Sequence, residues 1–496
     1  MGFWGRRPAP VETEAVDEAA VEAASARLQR MRDRSSAAAS PPVDDGSGHD
    51  AAVTTLARNP FALLGVEPSA TTAAINDALD ERSFEPGADP AILTAARARL
   101  MAPRERLASE IGWLPDLPLP TVAATRRALA TGDMATLRSV RDKATGISRV
   151  NLSVALVEAG ATAPDDLTLI VADAQGVAAD VLLDRLDDAR FKAHGREIER
   201  ETYYELLGER AREIGLLAAP LFAASVTTRA ALTQVLKEQP PAVSGFGATL
   251  RDELLRSYGD QIAAVLDGAQ GRITATLAAM RAQPEQEVHA GTLLSTLDYW
   301  SSLRRPIQIH EAARGLDDPA SADIFTHVRE LILQHSNEHR QYEIALRLAK
   351  ALRACFAHVP IRRAALEREL PTLVSNATCR RAEQLHFRAL ANLETFAREV
   401  ERGCLERGGG TAGAFAALFD DADDLNEEGL TNLFLALREL GVKLHNELEA
   451  RAASRAVTMW LGGQPAPADI AAKLEQDLQH FGLSWTVPVR PRRVDA

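Results

Sequence analysis

The sequence predicts an all-α protein in which a small helical domain is followed by a long helical array or bundle. Ala, Leu, Arg and Glu outweigh Val, Ile, Tyr and Thr, and aromatic residues make up only 5 % of the chain, a balance that favours helices over pleated strands. Apolar residues recur at three- and four-residue spacing through one segment after another. Short polar or Gly/Pro breaks, such as Gln239-Pro240-Pro241 and Asp317-Asp318-Pro319, join these segments, as short connections join packed helices.

Composition narrows the function. With 496 residues the chain can build two to four domain-sized cores, and 46 % hydrophobic with 25 % charged residues is an ordinary globular balance. A net charge of -13 argues against a nucleic-acid binder, which gains affinity by neutralising phosphates with clustered Lys and Arg. The small basic clusters Arg362-Arg363, Arg380-Arg381 and Arg490, Arg492, Arg493 read as solvated faces. Cys355, Cys379 and Cys404 are far apart, form no Cys-x-x-Cys pair and suit no zinc spacing, so a reducing, cytoplasmic setting is expected. The opening Met1-Gly2-Phe3-Trp4-Gly5-Arg6-Arg7 is followed by acidic residues where a secretory signal needs an apolar stretch. Arg6 stands where myristoylation wants Ser or Thr. The most apolar stretch, Gly215 to Val226, is too short for a membrane span and contains Pro220. No membrane association and no cofactor are expected.

Residues 1–50 read as a tail: Val11 to Asp33 is rich in Ala and Glu, as for a lone polar helix, and Arg34 to Asp50 has linker composition. Residues 51–117 form the small helical segment, closed by Pro115, Pro118 and Pro120. A helical array over 118–405 and a C-terminal helical segment over 411–496 follow. Within the array and the C-terminal segment, helices are expected at Val122–Leu129, Met134–Arg141, Val150–Ala159, Val177–Arg190, Glu199–Leu217 and Thr228–Lys237. Further helices are expected at Ala248–Leu266, Ile273–Arg281, Val288–Leu303, Ile324–Gln334, Gln341–Phe356, Arg362–Val374 and Cys379–Cys404. Phe415–Phe419, Glu427–Thr458 and Ala468–Phe481 complete the set. No repeat period is evident, although Tyr342, Ala345, Leu348, Ala349 and Leu352 share one face, as in tetratricopeptide-like helix pairs. Glu406 to Gly413 is glycine-rich but lacks a Gly-Lys-Ser/Thr ending and a preceding strand, so it reads as a linker and not a phosphate loop.

The small segment is the most informative. Asn59 caps a short helix that begins at Pro60 and is closed by Gly65. Thr71 or Thr72 caps a second helix with Ile75, Ala78, Leu79 and Arg82 on one face, ended near Phe84 by Glu85-Pro86-Gly87. Asp89-Pro90 launches a third with Leu93, Ala96 and Leu100 inward, and Pro103 a fourth with Leu107 and Ile111 inward. The expected core is Phe61, Leu64, Ile75, Leu79, Leu93, Ala96, Leu100 and Leu107.

This layout resembles the J domain, the module by which DnaJ-type co-chaperones engage a DnaK-type chaperone ATPase. Asn59-Pro60-Phe61-Ala62-Leu63-Leu64-Gly65-Val66 is similar to the family's aromatic-x-x-Leu-Gly-Val opening. Ala96-x-x-x-Leu100-x-x-Pro103-x-x-Arg106-Leu107 is similar to its third-to-fourth helix junction. The ending from Arg106 to Pro115 resembles bacterial J-like proteins that serve specialised DnaK relatives of the HscC type, in which a long helical part follows. The resemblance covers about one eighth of the chain. It implies a co-chaperone or adaptor whose array holds client proteins, with Arg82, Phe84, Glu85 and Asp89 as the partner contact, against the competing reading that Phe84 covers the edge of the core and the charges are solvated. Two departures accompany it. The His-Pro-Asp triplet by which J domains stimulate ATP hydrolysis is replaced by Ser83-Phe84-Glu85-Pro86-Gly87-Ala88-Asp89-Pro90. The second helix, basic in the family, here carries Asp77, Asp80 and Glu81 against Arg82, which removes or reverses steering toward an acidic groove.

Two other readings stand beside it. One is a helical scaffold with a relic J-like fold and no ATPase stimulation. The other is a zinc hydrolase: His335-Ser336-Asn337-Glu338-His339 fits H-x-x-E-H, although a third ligand has no clear candidate among Glu367, Glu369, Glu399 and Glu401. The competing expectation is a pair of surface histidines at a helix junction, and a non-enzymatic role is expected. Asp420 to Asp424 lacks the ligand alternation and glycine of a calcium loop and reads as the acidic start of a helix.

Overall fold

The computed structural model describes residues 54–490 except 194, 240–243, 421, 423 and 424. The tail over 1–50, Arg492, Arg493 and most of the acidic run after Asp420 therefore lie outside the described residues. Among those described, 22 helices and no strands form; one isolated bridge pairs Ala466 with Val489. No helix is long and apolar enough to cross a membrane.

The small segment forms α1 (Pro60–Leu64), α2 (Thr72–Ser83), α3 (Pro90–Met101) and α4 (Pro103–Ile111). Its local signals act as read. Asn59 accepts from the Phe61 amide, Thr71 from Ala74, and Asp89 from Ala91 and Ile92, satisfying amides that a helix start leaves free. Gly65 closes α1 at φ 76°, a conformation costly for any residue with a Cβ. Ile75 is fully buried in one apolar cluster with Leu93, Ala96 and Leu100, and half-buried Leu79 packs against it.

The array continues with α5 (Leu119–Thr131), α6 (Met134–Lys143), α7 (Gly146–Glu158), α8 (Pro164–Ala174), α9 (Ala179–Lys192) and α10 (Arg200–Ala223). Next come α11 (Val226–Glu238), α12 (Phe246–Ala282), α13 (Glu287–Ala313), α14 (Pro319–Asn337), α15 (Tyr342–Cys355) and α16 (Pro360–Ala391). The chain ends with α17 (Leu393–Glu401), α18 (Cys404–Arg407), α19 (Gly410–Ala417), α20 (Glu427–Asn446), α21 (Arg451–Gly462) and α22 (Ala468–His480).

Four differences from the expected elements have local causes. The separate helices expected at 248–266 and 273–281 are one, α12, because Gly268 and Gly271 face open space and meet no obstacle to helix. Likewise α16 joins the helices expected at 362–374 and 379–404 as far as Ala391, and α10 and α13 run through Pro220 and Pro306; a proline removes one backbone donor, and tertiary packing holds the helix through it. Conversely, the single helix expected over 427–458 is broken between Asn446 and Arg451, where Glu449 takes φ 53°, so that α20 and α21 pack on each other. Helix α8 was not anticipated, yet its Leu167, Ile170, Val171 and Ala174 are buried.

Three apolar clusters organise the molecule. One joins the α1–α3 residues, Trp113 and Leu114 to Ala128, Leu137, Val140, Leu152 and Leu156, and so crosses the Pro115–Pro120 stretch. The largest runs from Leu107 to Ala377, and the third from Ala382 to Val487; the change falls inside α16. Leu107 is thus buried, but not with the hairpin core where it was expected. It lies with Ile111 on the face of α4 that meets α10.

Candidate interaction site

Helices α2 and α3 form a hairpin whose tip is the loop from Phe84 to Asp89. The sides of the hairpin are locked by Arg97 Nε, which donates to Asn76 Oδ1 at 2.7 Å. At the tip, Ser83 Oγ donates back to the Leu79 carbonyl at 2.7 Å and Gly87 takes φ 83°, so the turn is closed by its own polar groups.

The four residues expected to contact a partner divide sharply. Arg82 and Glu85 form an ion pair at 2.7 Å. Arg126 of α5 lies against the same group: a Cβ on Gly65 would sit 2.8 Å from both the Arg126 and the Arg82 guanidinium. Burial pushes the Arg126 guanidinium below its usual pKa, with Arg82 adding to the effect and Glu85 opposing it. Asp89 is occupied as the cap of α3. Phe84 alone has no such task, and it is 88 % exposed. Asp77, Asp80 and Glu81 are exposed along α2 and give it an acidic outer face.

The hairpin is tied to the array from below. Arg106 donates to the Pro68 and Ala70 carbonyls at 2.6 and 3.0 Å, and to Glu110 Oε1 at 3.0 Å. Arg190 of α9 donates to the other Glu110 oxygen at 3.0 Å. Asn59, beyond capping α1, donates to the Ser109 carbonyl at 2.8 Å. Asn151 of α7 donates to the Ile111 and Trp113 carbonyls at the end of α4, and its own oxygen accepts from Arg210 of α10 at 2.9 Å. None of Arg126, Asn151, Arg190 and Arg210 was singled out in the sequence; the partners that tie them to the hairpin segment or to each other are 38 or more residues away, and no local spacing announces them.

No family model matches this chain, and no characterised protein or solved structure matches it.

The His335/His339 pair does not assemble a metal site of the expected kind. His335 is fully buried at the end of α14, so it is not the surface histidine that was the competing expectation; burial lowers its pKa. Its Nδ1 donates to Gln341 Oε1 at 2.6 Å. The helix stops at Asn337, which leaves Glu338 and His339 exposed beyond it. The two rings meet edge to face at 5.7 Å. Among the described residues no group of three ligating side chains converges. The glycine-rich stretch is a structured corner: Gly408, Gly409 and Gly410 all take positive φ, and Glu399 accepts from the Ala412 amide at 3.0 Å.

Proposed function

We propose that this chain is a helical adaptor that docks on a DnaK-type chaperone ATPase through the α2–α3 tip while the array holds a client or partner protein. Phe84 carries the proposal. A large apolar side chain held almost wholly in solvent, at a hairpin tip where Arg82, Glu85 and Asp89 are already engaged, is what an interface anchor requires. The motif resemblance of residues 59–66 and 96–107 supplies the class of partner. The acidic face of Asp77, Asp80 and Glu81 is complementary to a basic groove, which favours a specialised ATPase over a general one. The test is binding of the full-length chain to the DnaK-type ATPase of the same cell, with Phe84→Ala alongside. Binding weakened about tenfold or more by the substitution supports the proposal, and absence of binding by the unaltered chain overturns it.

The missing His-Pro-Asp triplet favours a second reading, in which the tip binds a partner without accelerating its ATP hydrolysis. The firm attachment of the hairpin through Glu110 and Asn151 suits such a fixed docking post. ATPase turnover measured at saturating adaptor separates the two: an unchanged rate with intact binding marks a scaffold, and an increased rate marks a co-chaperone.

A further inference from the structure

A second site lies where α11, α13 and the α15–α16 turn meet. The cleft there has a volume of about 480 Å³ and is lined by Lys237, His358 and Arg363 together with apolar Leu236, Ile309 and Ala313. Arg305, one turn before Ile309 on the same face of α13, adds a third fixed positive charge, which acts on both Lys237 and His358. We propose that this cleft binds an organic anion with a carboxylate or phosphate head and an apolar body.

Two of the charges there, Lys237 and Arg305, have no carboxylate partner among the described residues. Lys237 forms no ion pair among the described residues. Arg305 donates to Ser301 Oγ at 2.9 Å, and its buried Nε has no partner. His358 is held down to about 4 by burial first and then by Lys237, Arg305 and Arg363, with no acidic group opposing them. One carboxylate touches the cluster: Glu367 stands 3.5 Å from Arg363, one turn along α16, with both side chains half in solvent. Like charges gathered in this way repel unless an anion joins them.

The backbone adds to the same field. Helix α16 starts at Pro360 on the cleft wall; Pro360 has no amide hydrogen and the Arg362 and Arg363 amides donate to the Val359 carbonyl at 3.1 and 3.0 Å, so what the helix offers an anion there is the positive end of its 32-residue dipole. The opposite dipole, at the end of α11, is already answered. Arg251 donates to the Leu236 and Gln239 carbonyls at 3.1 and 2.6 Å, which frees Lys237 from that task. The apolar walls supply the other half of the recognition, since a bare inorganic ion gains nothing from Leu236, Ile309 and Ala313.

Calorimetric titration of the full-length chain with octanoate, hexyl phosphate, inorganic phosphate and octanol tests the site. The expected result is one-site binding of octanoate or hexyl phosphate, with the tighter of the two naming the head group. It is weakened about tenfold or more in the Lys237→Ala/Arg363→Ala double variant, whose changed residues are both exposed. Ala313→Phe, which fills the cleft without touching a charge, should weaken it too. Failure of both amphiphilic anions to bind, unchanged affinity in the double variant, or equally tight binding of octanol or inorganic phosphate would each overturn the proposal.

Discussion

Glu110 of α4 and Arg190 of α9 meet at 3.0 Å with the carboxylate wholly out of solvent, while Arg106 holds the other oxygen of the same group. A carboxylate is tolerated at such depth only because two guanidiniums satisfy it. The contact spans 80 residues of sequence and fastens the hairpin segment to the array. Glu110→Ala leaves Arg190 and Arg106 facing each other without an anion, and should destabilise the chain by roughly 3–5 kcal/mol. Combining it with Arg190→Met should recover part of that loss, because no buried guanidinium is then left at Arg190 without an anion, while Arg106 keeps the Pro68 and Ala70 carbonyls. Urea denaturation followed by circular dichroism reads both values, and a double variant no better than the single one would show that the pair is not the unit of stability.

Phe84 should behave oppositely. At 88 % exposure it contributes almost nothing to the core, so Phe84→Ala should change stability by no more than about 0.5 kcal/mol while reducing partner binding. Neutralising the α2 face with Asp77→Asn and Asp80→Asn should slow association and flatten its salt dependence, with dissociation little changed. Surface-resonance kinetics at two ionic strengths distinguish these effects; a slower on-rate for Phe84→Ala with the same off-rate would refute its role as anchor.

Acid should weaken the fold through His310. Burial, helped by Arg251 and Arg314 and opposed by Asp252, lowers its pKa to about 4. Nε2 stands 3.1 Å from Asp252, and Nδ1 is buried without a partner. Between the unfolded value near 6.5 and the folded value the unfolded chain binds the extra proton, so stability falls as pH drops through this window. The full loss is on the order of 3 kcal/mol, reached near pH 4. His310→Gln should remove its share of the slope, leaving that of the similarly shifted His358, and denaturation midpoints at pH 7.5 and pH 5 compare the two; an unchanged slope would place the acid sensitivity elsewhere.

What the sequence disclosed and what it hid divide by distance along the chain. Asn59, Thr71 and Asp89 announce their helices because a cap acts over two or three residues, and the spacing of Ile75, Leu93, Ala96 and Leu100 suffices to place one core. Leu107 was visible as apolar but not as belonging to the other side of α4, since choosing between two buried faces depends on which helix arrives there. Proline was over-read at Pro220 and Pro306, which sit within helices because packing against neighbours outweighs one lost bond. At the tip, residue types named four candidates, but only three-dimensional pairing showed that Arg82, Glu85 and Asp89 are already engaged.

Glycine gives the sharpest contrast between two positions on one helix. A Cβ built on Gly215 would lie 2.9 Å from the Leu254 amide nitrogen and 3.0 Å from the Glu253 carbonyl carbon. The obstacle is the backbone of α12, which cannot rotate away as a side chain would. Gly215→Ala must therefore push α10 and α12 apart, and overpacking of this kind costs about 1–3 kcal/mol. Replacing a helical glycine with alanine gains at most ~1 kcal/mol, so the net effect should be destabilising. Gly208, two turns earlier on α10, meets nothing within 4 Å, and there the same change should stabilise by up to ~1 kcal/mol. Thermal melts of the two variants should move in opposite directions. If Gly215→Ala melts at or above the parent temperature, the close approach of these helices is softer than their geometry states.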